Sequence, residues 1–100
     1  MKAPKFSLVA RREIIEALRW WKEHRDKNPN RLRDDLRRAY ALLSGSPLVG
    51  AAAPGAPTES RIRFIYLRGS RYLLYYSVQE DQVEVLRFWQ ASRGVRPFGR

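Results

Sequence analysis

The chain has 100 residues, with 20 Lys and Arg against 10 Asp and Glu and a formal net charge of +10. That length allows one domain, residues 1–100, with one core, and a 44% hydrophobic content favours folding over disorder. The absence of Cys excludes disulfide scaffolds and thiolate chemistry, a lone His24 cannot build a His-based metal site, and no apolar run approaches the ~18 residues of a membrane span.

In chain order, residues 5–10 alternate Phe6 and Leu8 with Lys5 and Ser7 and predict a short strand. Residues 11–27 predict a helix, with Ile14, Leu18 and Trp21 on one stripe and Ile15 widening it. Asn28-Pro29-Asn30 stops that helix, since a residue before Pro avoids the α region, and Asn30 is placed to cap a second helix over 31–44. Its stripe is Leu32, Leu36, Ala39, Tyr40 and Leu43, while Arg31, Arg33, Asp34, Asp35, Arg37 and Arg38 form the charged face. Residues 44–60, rich in Gly, Pro, Ala and Ser, predict a long flexible loop. Three strands follow over 61–68, 71–79 and 82–90, joined by turns at Gly69-Ser70 and Glu80-Asp81, and a basic tail occupies 91–100. The order is β-α-α-β-β-β. An α+β fold follows, with an αα-hairpin packed on a four-stranded antiparallel sheet.

The two turns fix a register, because side chains alternate strictly along a strand. One face then collects Ile65, Leu67, Tyr72, Leu74, Tyr76, Val78, Val83 and Val85, with Arg87 and Trp89 towards its end, and suits the underside of the helices. The opposite face collects Ile62, Phe64, Tyr66, Arg68, Arg71, Leu73, Tyr75, Leu86, Phe88 and Gln90. Two helices cover one face of such a sheet, so the second face is expected to be an exposed apolar patch, the usual mark of an interface. The plainer alternative is that loop 44–60 folds over it. Of the Trp20-Trp21 pair only one side chain can face the core, and Trp21 is the one in register with the stripe. Glu13, Glu16 and Glu23 read as solvated helix charges.

Several segments resemble the RelE/ParE superfamily of type II toxin–antitoxin toxins over roughly residues 5–97. The sequence RREIIEALRWW at 11–21 looks like that family's first helix. Arg38 to Leu43, followed by Pro47 and Gly50, resembles its second helix and the Pro…Gly beyond it. Tyr72 to Val78 looks like its Tyr-rich strand, and Val83 to Arg93 resembles its terminal Val-x-Val-Leu-Arg signature. Many members carry a His where this chain has Gln90, which has no titratable proton and cannot serve in acid–base catalysis.

The resemblance implies a cytoplasmic toxin without cofactor, kept silent by an acidic antitoxin. It points to a ParE-like protein acting on DNA gyrase, more a binder than an enzyme. The alternatives are a ribosome-dependent mRNA endonuclease and a basic nucleic-acid-binding module. Sixteen of the twenty cations are Arg, the residue that grips phosphate or carboxylate bidentately, so a polyanion or an acidic protein is the expected partner, with no membrane role. The expected target-binding residues are Arg68, Arg71, Arg87, Gln90 and Arg93. The antitoxin is expected on Ile62, Phe64, Tyr66, Leu73, Tyr75, Leu86 and Phe88. No residues stand out as catalytic or metal-binding.

Overall fold

A single serine sets the first turn of the chain. The computed structural model describes residues 3–25, 27–57, 61–93 and 95–98. Strand β1 is only Lys5–Phe6, and helix α1 is Leu8–His24. The alternation over 5–10 predicts a longer strand, but the Ser7 hydroxyl accepts the Ala10 N–H at 3.0 Å and starts the helix. That hydroxyl also donates to the Leu86 carbonyl at 3.0 Å, and the Ser7 N–H donates to the Val85 carbonyl at 2.9 Å. Ser7 therefore joins the strand, the helix and the far end of the sequence.

Helix α1 buries Ala10, Ala17 and Trp21, with Ile14 and Leu18 packed on the same cluster. Ile15 does not widen the stripe; it is 57% exposed, and the small Ala10 and Ala17 hold the core-facing positions instead. The Trp21 indole N–H donates to the Asn28 carbonyl at 2.8 Å and fixes the link to helix α2, Arg31–Gly45. Asn30 precedes α2 and accepts the Asp34 N–H through its backbone carbonyl, whereas its side chain makes no cap. Helix α2 buries Leu32, Ala39 and Leu43 and, against the pattern, Asp35. Tyr40, expected on the buried stripe, is largely exposed and stacks its ring parallel to Phe6 at 6.3 Å.

The remaining strands are β2 (Ala51–Ala52), β3 (Ile62–Leu67), β4 (Tyr72–Gln79) and β5 (Gln82–Gln90). They form a five-stranded sheet ordered β1-β5-β4-β3-β2. This corrects the expected four antiparallel strands twice. Strand β2 lies inside the expected loop and pairs antiparallel with β3, and β1 runs parallel to β5. Hydrophobic alternation reports the faces of a strand but not the direction of its neighbour, so parallel pairing leaves no trace in the pattern.

Both hairpins keep the expected register, Leu67 opposite Tyr72 and Gln79 opposite Gln82. The first turn is closed by the Arg71 N–H on the Leu67 carbonyl at 2.7 Å, with Arg71 in the left-handed region at φ 63°. Further along, Tyr76 faces Val85 but Tyr75 faces Arg87, so Leu86 is an extra residue, a β-bulge. One extra residue inverts the parity of everything after it. Phe88 and Gln90 thus turn to the helix side, opposite Leu74 and Tyr72, and Arg87 and Trp89 turn to the other face. This corrects the expected face for all four.

The helix-side core centres on Tyr76, Leu32, Leu43, Leu74, Val83 and Val85. The second face has a core of its own: Ala53, Leu73, Tyr75 and Trp89 are buried there, with Ala56, Ile62, Phe64 and Phe98 packed around them. Burying one such large side chain is worth about 1.5–3 kcal/mol, so the chain covers this face with its own loop and tail rather than leaving it bare. The expected open patch is therefore reduced to a margin.

Candidate functional site

Four of the five expected target-binding residues gather at one end of the sheet. Arg68 and Arg71 are exposed and flank the β3–β4 turn. A buried carboxylate holds that turn: Asp35, 5% exposed, accepts the Ser70 N–H at 2.8 Å and binds Arg38 at 2.5 Å, with Arg31 at 4.0 Å. The Ala91 N–H donates to the Arg71 carbonyl at 2.9 Å, and the Arg93 N–H to the Gln90 carbonyl at 3.2 Å, so the turn and the end of β5 are tied together. The Arg93 guanidinium lies 4.3 Å from the centre of the Trp89 ring.

Arg87 is not part of this group. Its guanidinium forks onto the Glu13 carboxylate, Nη2 at 2.7 Å and Nε at 3.1 and 3.2 Å. Hydrogen bonding to Glu13 holds its pKa above the ordinary arginine value. Glu13 also accepts the Phe88 N–H at 2.8 Å. It is thus no solvated helix charge. Strand β1 ends at Phe6, opposite Val85, and Glu13 serves the edge of β5 beyond it. The expectation for Glu13 rested on its helix position alone, which carries no information about a strand edge 75 residues away.

The tyrosines near this end are poor proton acceptors. Burial pushes the Tyr72 hydroxyl above its ordinary value despite Arg93 and Arg25, and does the same to Tyr75 despite Arg96. Tyr75 is 3% exposed, with Phe98 edge-on at 5.2 Å, rather than open to solvent as the alternation predicts. His24 is exposed, its ring stacked on Trp20 at 4.5 Å. Among the described residues, no group of three or more His, Asp or Glu could hold a metal.

The residues expected to receive the antitoxin divide. Ile62 and Phe64 are half-buried and Tyr66 is exposed, a short apolar margin on β3. Leu73 and Tyr75 lie in the second core, and Leu86 is the half-buried bulge residue. Phe88 is on the helix side, buried and stacked on Tyr72 at 4.8 Å. The margin continues into a cavity of about 640 Å³ that includes Leu48, Ile62, Arg61 and Arg63. Sequence reasoning missed an apolar groove of about 250 Å³ between the helices, lined by Phe6, Ile14, Leu36 and Tyr40 with Arg33 and Arg37. It also missed Arg25, whose guanidinium lies over both Trp20 and Trp21 at 5.2 and 5.8 Å. The i, i+4 and i, i+5 spacing of these residues was the only signal available.

This is a small α+β domain, two helices on a mixed sheet with an arginine-rich end. Residues 5–95 match the family model described as ParE toxin of type II toxin-antitoxin system, parDE, and the chain belongs to that family. No curated protein sequence matches. A solved structure titled "Chromosomal ParDE TA system from P. aeruginosa" is similar in fold, with a TM-score of 0.71 at 14% identity, over 92% of this chain and 98% of that one. The protein is a toxin of a type II toxin–antitoxin system, and an antitoxin is its partner. No helix among the described residues is long and apolar enough to cross a membrane.

Proposed function

We propose that this toxin acts by binding DNA gyrase in the cytoplasm, through Arg68, Arg71, Gln90 and Arg93, and not by cutting RNA. One observation carries the reading: the cavity that Arg71 and Gln90 share is lined by cations and an amide with no carboxylate or histidine, and the carboxylates lining the cavity of Gln90 and Arg93 are Glu13, bound to Arg87 and the Phe88 N–H, and the solvent-exposed Glu16. Gln90 does not titrate, and burial raises Tyr72 and Tyr75. Arginine stabilises charge but is a poor base. His24 lines a neighbouring cavity with Arg25 and Arg31, while the two cavities that contain Gln90 do not include it.

Arg71 supports the assignment on other grounds. Its left-handed backbone costs a non-glycine residue about 1–2 kcal/mol, which Gly would avoid. Strain kept at an exposed charged position points to a use for the side chain. Arg71→Gly should therefore keep or raise stability while weakening toxicity, and purified protein should block gyrase supercoiling while leaving ribosome-bound mRNA intact. Codon-positioned cuts that depend on ribosomes and disappear in Arg71→Ala would overturn this in favour of a ribonuclease.

For the antitoxin we propose an acidic segment on the open margin of Ile62, Phe64 and Tyr66, with apolar anchors supplying most of the affinity and the net charge speeding encounter. Phe64→Asp in a folded protein should abolish the complex; unchanged binding would reject this surface.

A further inference from the structure

The turn that carries Arg71 closes one wall of a cavity of about 290 Å³ between the end of α1 and the end of β5. Trp20, Arg25, Ser70, Arg71, Gln90 and Ser92 line it, and no carboxylate does. Ser70 is 5% exposed, and its hydroxyl has no hydrogen-bond partner. A buried hydroxyl without a partner costs about 1–3 kcal/mol, so it marks a place where a partner is missing. Among the described residues, the side chains of Arg71, Gln90 and Ser92 also make no hydrogen bond. Arg25 makes one weak bond, to the His24 carbonyl at 3.3 Å, and is otherwise held only by the indole faces. Asp35 is nearby through the Ser70 N–H, but Arg38 and Arg31 match its charge.

We infer that this cavity binds a phosphoryl group. Two arginines, two serines and a glutamine line the one space, and the unpartnered Ser70 hydroxyl is buried in its wall. A carboxylate has two acceptor oxygens and would leave several of these donors unused. A phosphoryl group has at least one oxygen more and spreads them tetrahedrally, and guanidinium groups grip it bidentately. The indole of Trp20 forms an apolar wall beside the polar cluster, as in clefts that take a phosphate with an attached organic group. The site shares Arg71 and Gln90 with the proposed target surface but stands whether or not that target is gyrase.

The test is a fluorescence titration of the full chain, read from its indoles, at constant ionic strength set with chloride. The probes are inorganic phosphate, an oligothymidine without terminal phosphates, and an oligoglutamate peptide. Phosphate or the oligonucleotide should saturate the signal. Saturation by phosphate alone identifies a free phosphate or monoester, and saturation by the oligonucleotide alone identifies a nucleic-acid backbone. Ser70→Ala and Arg25→Gln should each weaken binding about tenfold, the loss expected for one bond to a charged group. Arg25→Lys should recover part of it. Ser70→Ala removes an unpartnered hydroxyl, so its melting temperature should not fall. Failure of both phosphate probes to saturate, binding indifferent to both variants, or saturation by oligoglutamate alone would overturn the inference. Supercoiling is assayed in parallel. Phosphoryl binding without a gyrase block rejects only the target; a gyrase block without phosphoryl binding rejects only this site.

Discussion

Replacing Asp35 with Ala should unfold the arginine-bearing turn at lower temperature, and the size of the effect follows from its partners. The carboxylate accepts the Ser70 N–H inside the protein, and removing it strands a buried donor at about 1–3 kcal/mol. The Arg38 partner is 66% exposed, so solvent screens that ion pair and its loss adds at most about 1 kcal/mol. Together the variant should lose about 1–4 kcal/mol. For a domain of this length that lowers the melting midpoint on the order of 5–30 °C. Asp35→Asn keeps an oxygen for the Ser70 N–H and should lose about 1 kcal/mol. Arg38→Ala should lose less than about 1 kcal/mol. Urea unfolding of the three variants, with a double-mutant cycle between Asp35 and Arg38, measures each part. A loss below about 0.5 kcal/mol in Asp35→Ala, the range of an ordinary surface change, would show that the carboxylate does not hold the turn.

Other positions give equally definite outcomes. At Gly50 an added Cβ would lie 2.5 Å from the Phe64 carbonyl oxygen and 2.7 Å from the Tyr76 hydroxyl, so Gly50→Ala should cost about 1–3 kcal/mol by calorimetry, and a neutral result would mean that loop 46–52 is not seated on β3 as described. Glu13→Ala should destabilise more than Arg87→Ala, because only Glu13 also serves the Phe88 N–H; equal losses would reduce the interaction to the ion pair alone. Burial raises the pKa of Tyr72, Tyr75 and Tyr76 above 10.0, so the folded chain keeps protons that the unfolded chain releases. Their contribution is complete below about pH 10 and is lost as pH rises beyond it, so urea midpoints should fall there while the tyrosinate absorbance of these three appears together with unfolding. Full tyrosinate absorbance in a protein still folded would contradict that burial.

Where a local rule decides the structure, it was readable. The helical stripes place Trp21, Leu32 and Leu43 inward, and the two turns set the hairpin registers, because each rests on residues a few positions apart. Pro47 and Gly50 were visible only as part of a resemblance. The structure supplies the reason for the glycine: its N–H donates to the Tyr76 hydroxyl at 2.9 Å and its carbonyl accepts from Arg63 at 2.6 Å, with no room for a side chain. Asp35 and Glu13 were misplaced for the converse reason. A charge at a helical position reads as solvent-facing unless its partner is known, and here the partners are backbone N–H groups 35 and 75 residues away.

The bulge at Leu86 had the largest consequence for the site. Strict alternation from the Glu80-Asp81 turn sends Phe88 and Gln90 to the far face, and no residue near 86 advertises an insertion as Gly or Pro would. With the extra residue, Phe88 enters the helix-side core against Tyr72, and Gln90 comes to line the cavity beside Trp20 and Arg25. Trp89 moves the opposite way, into the second core, where its indole N–H donates to the Val95 carbonyl at 2.7 Å and its ring carries Arg93. The inversion thus exchanges the faces of two neighbouring side chains. The amide faces the donor-lined cavity, while the indole anchors the tail that covers the far face. The expected arginine surface includes Arg87 and leaves out Arg25, and the fork of Arg87 onto Glu13 and the place of Arg25 over the indoles at the end of α1 reverse both.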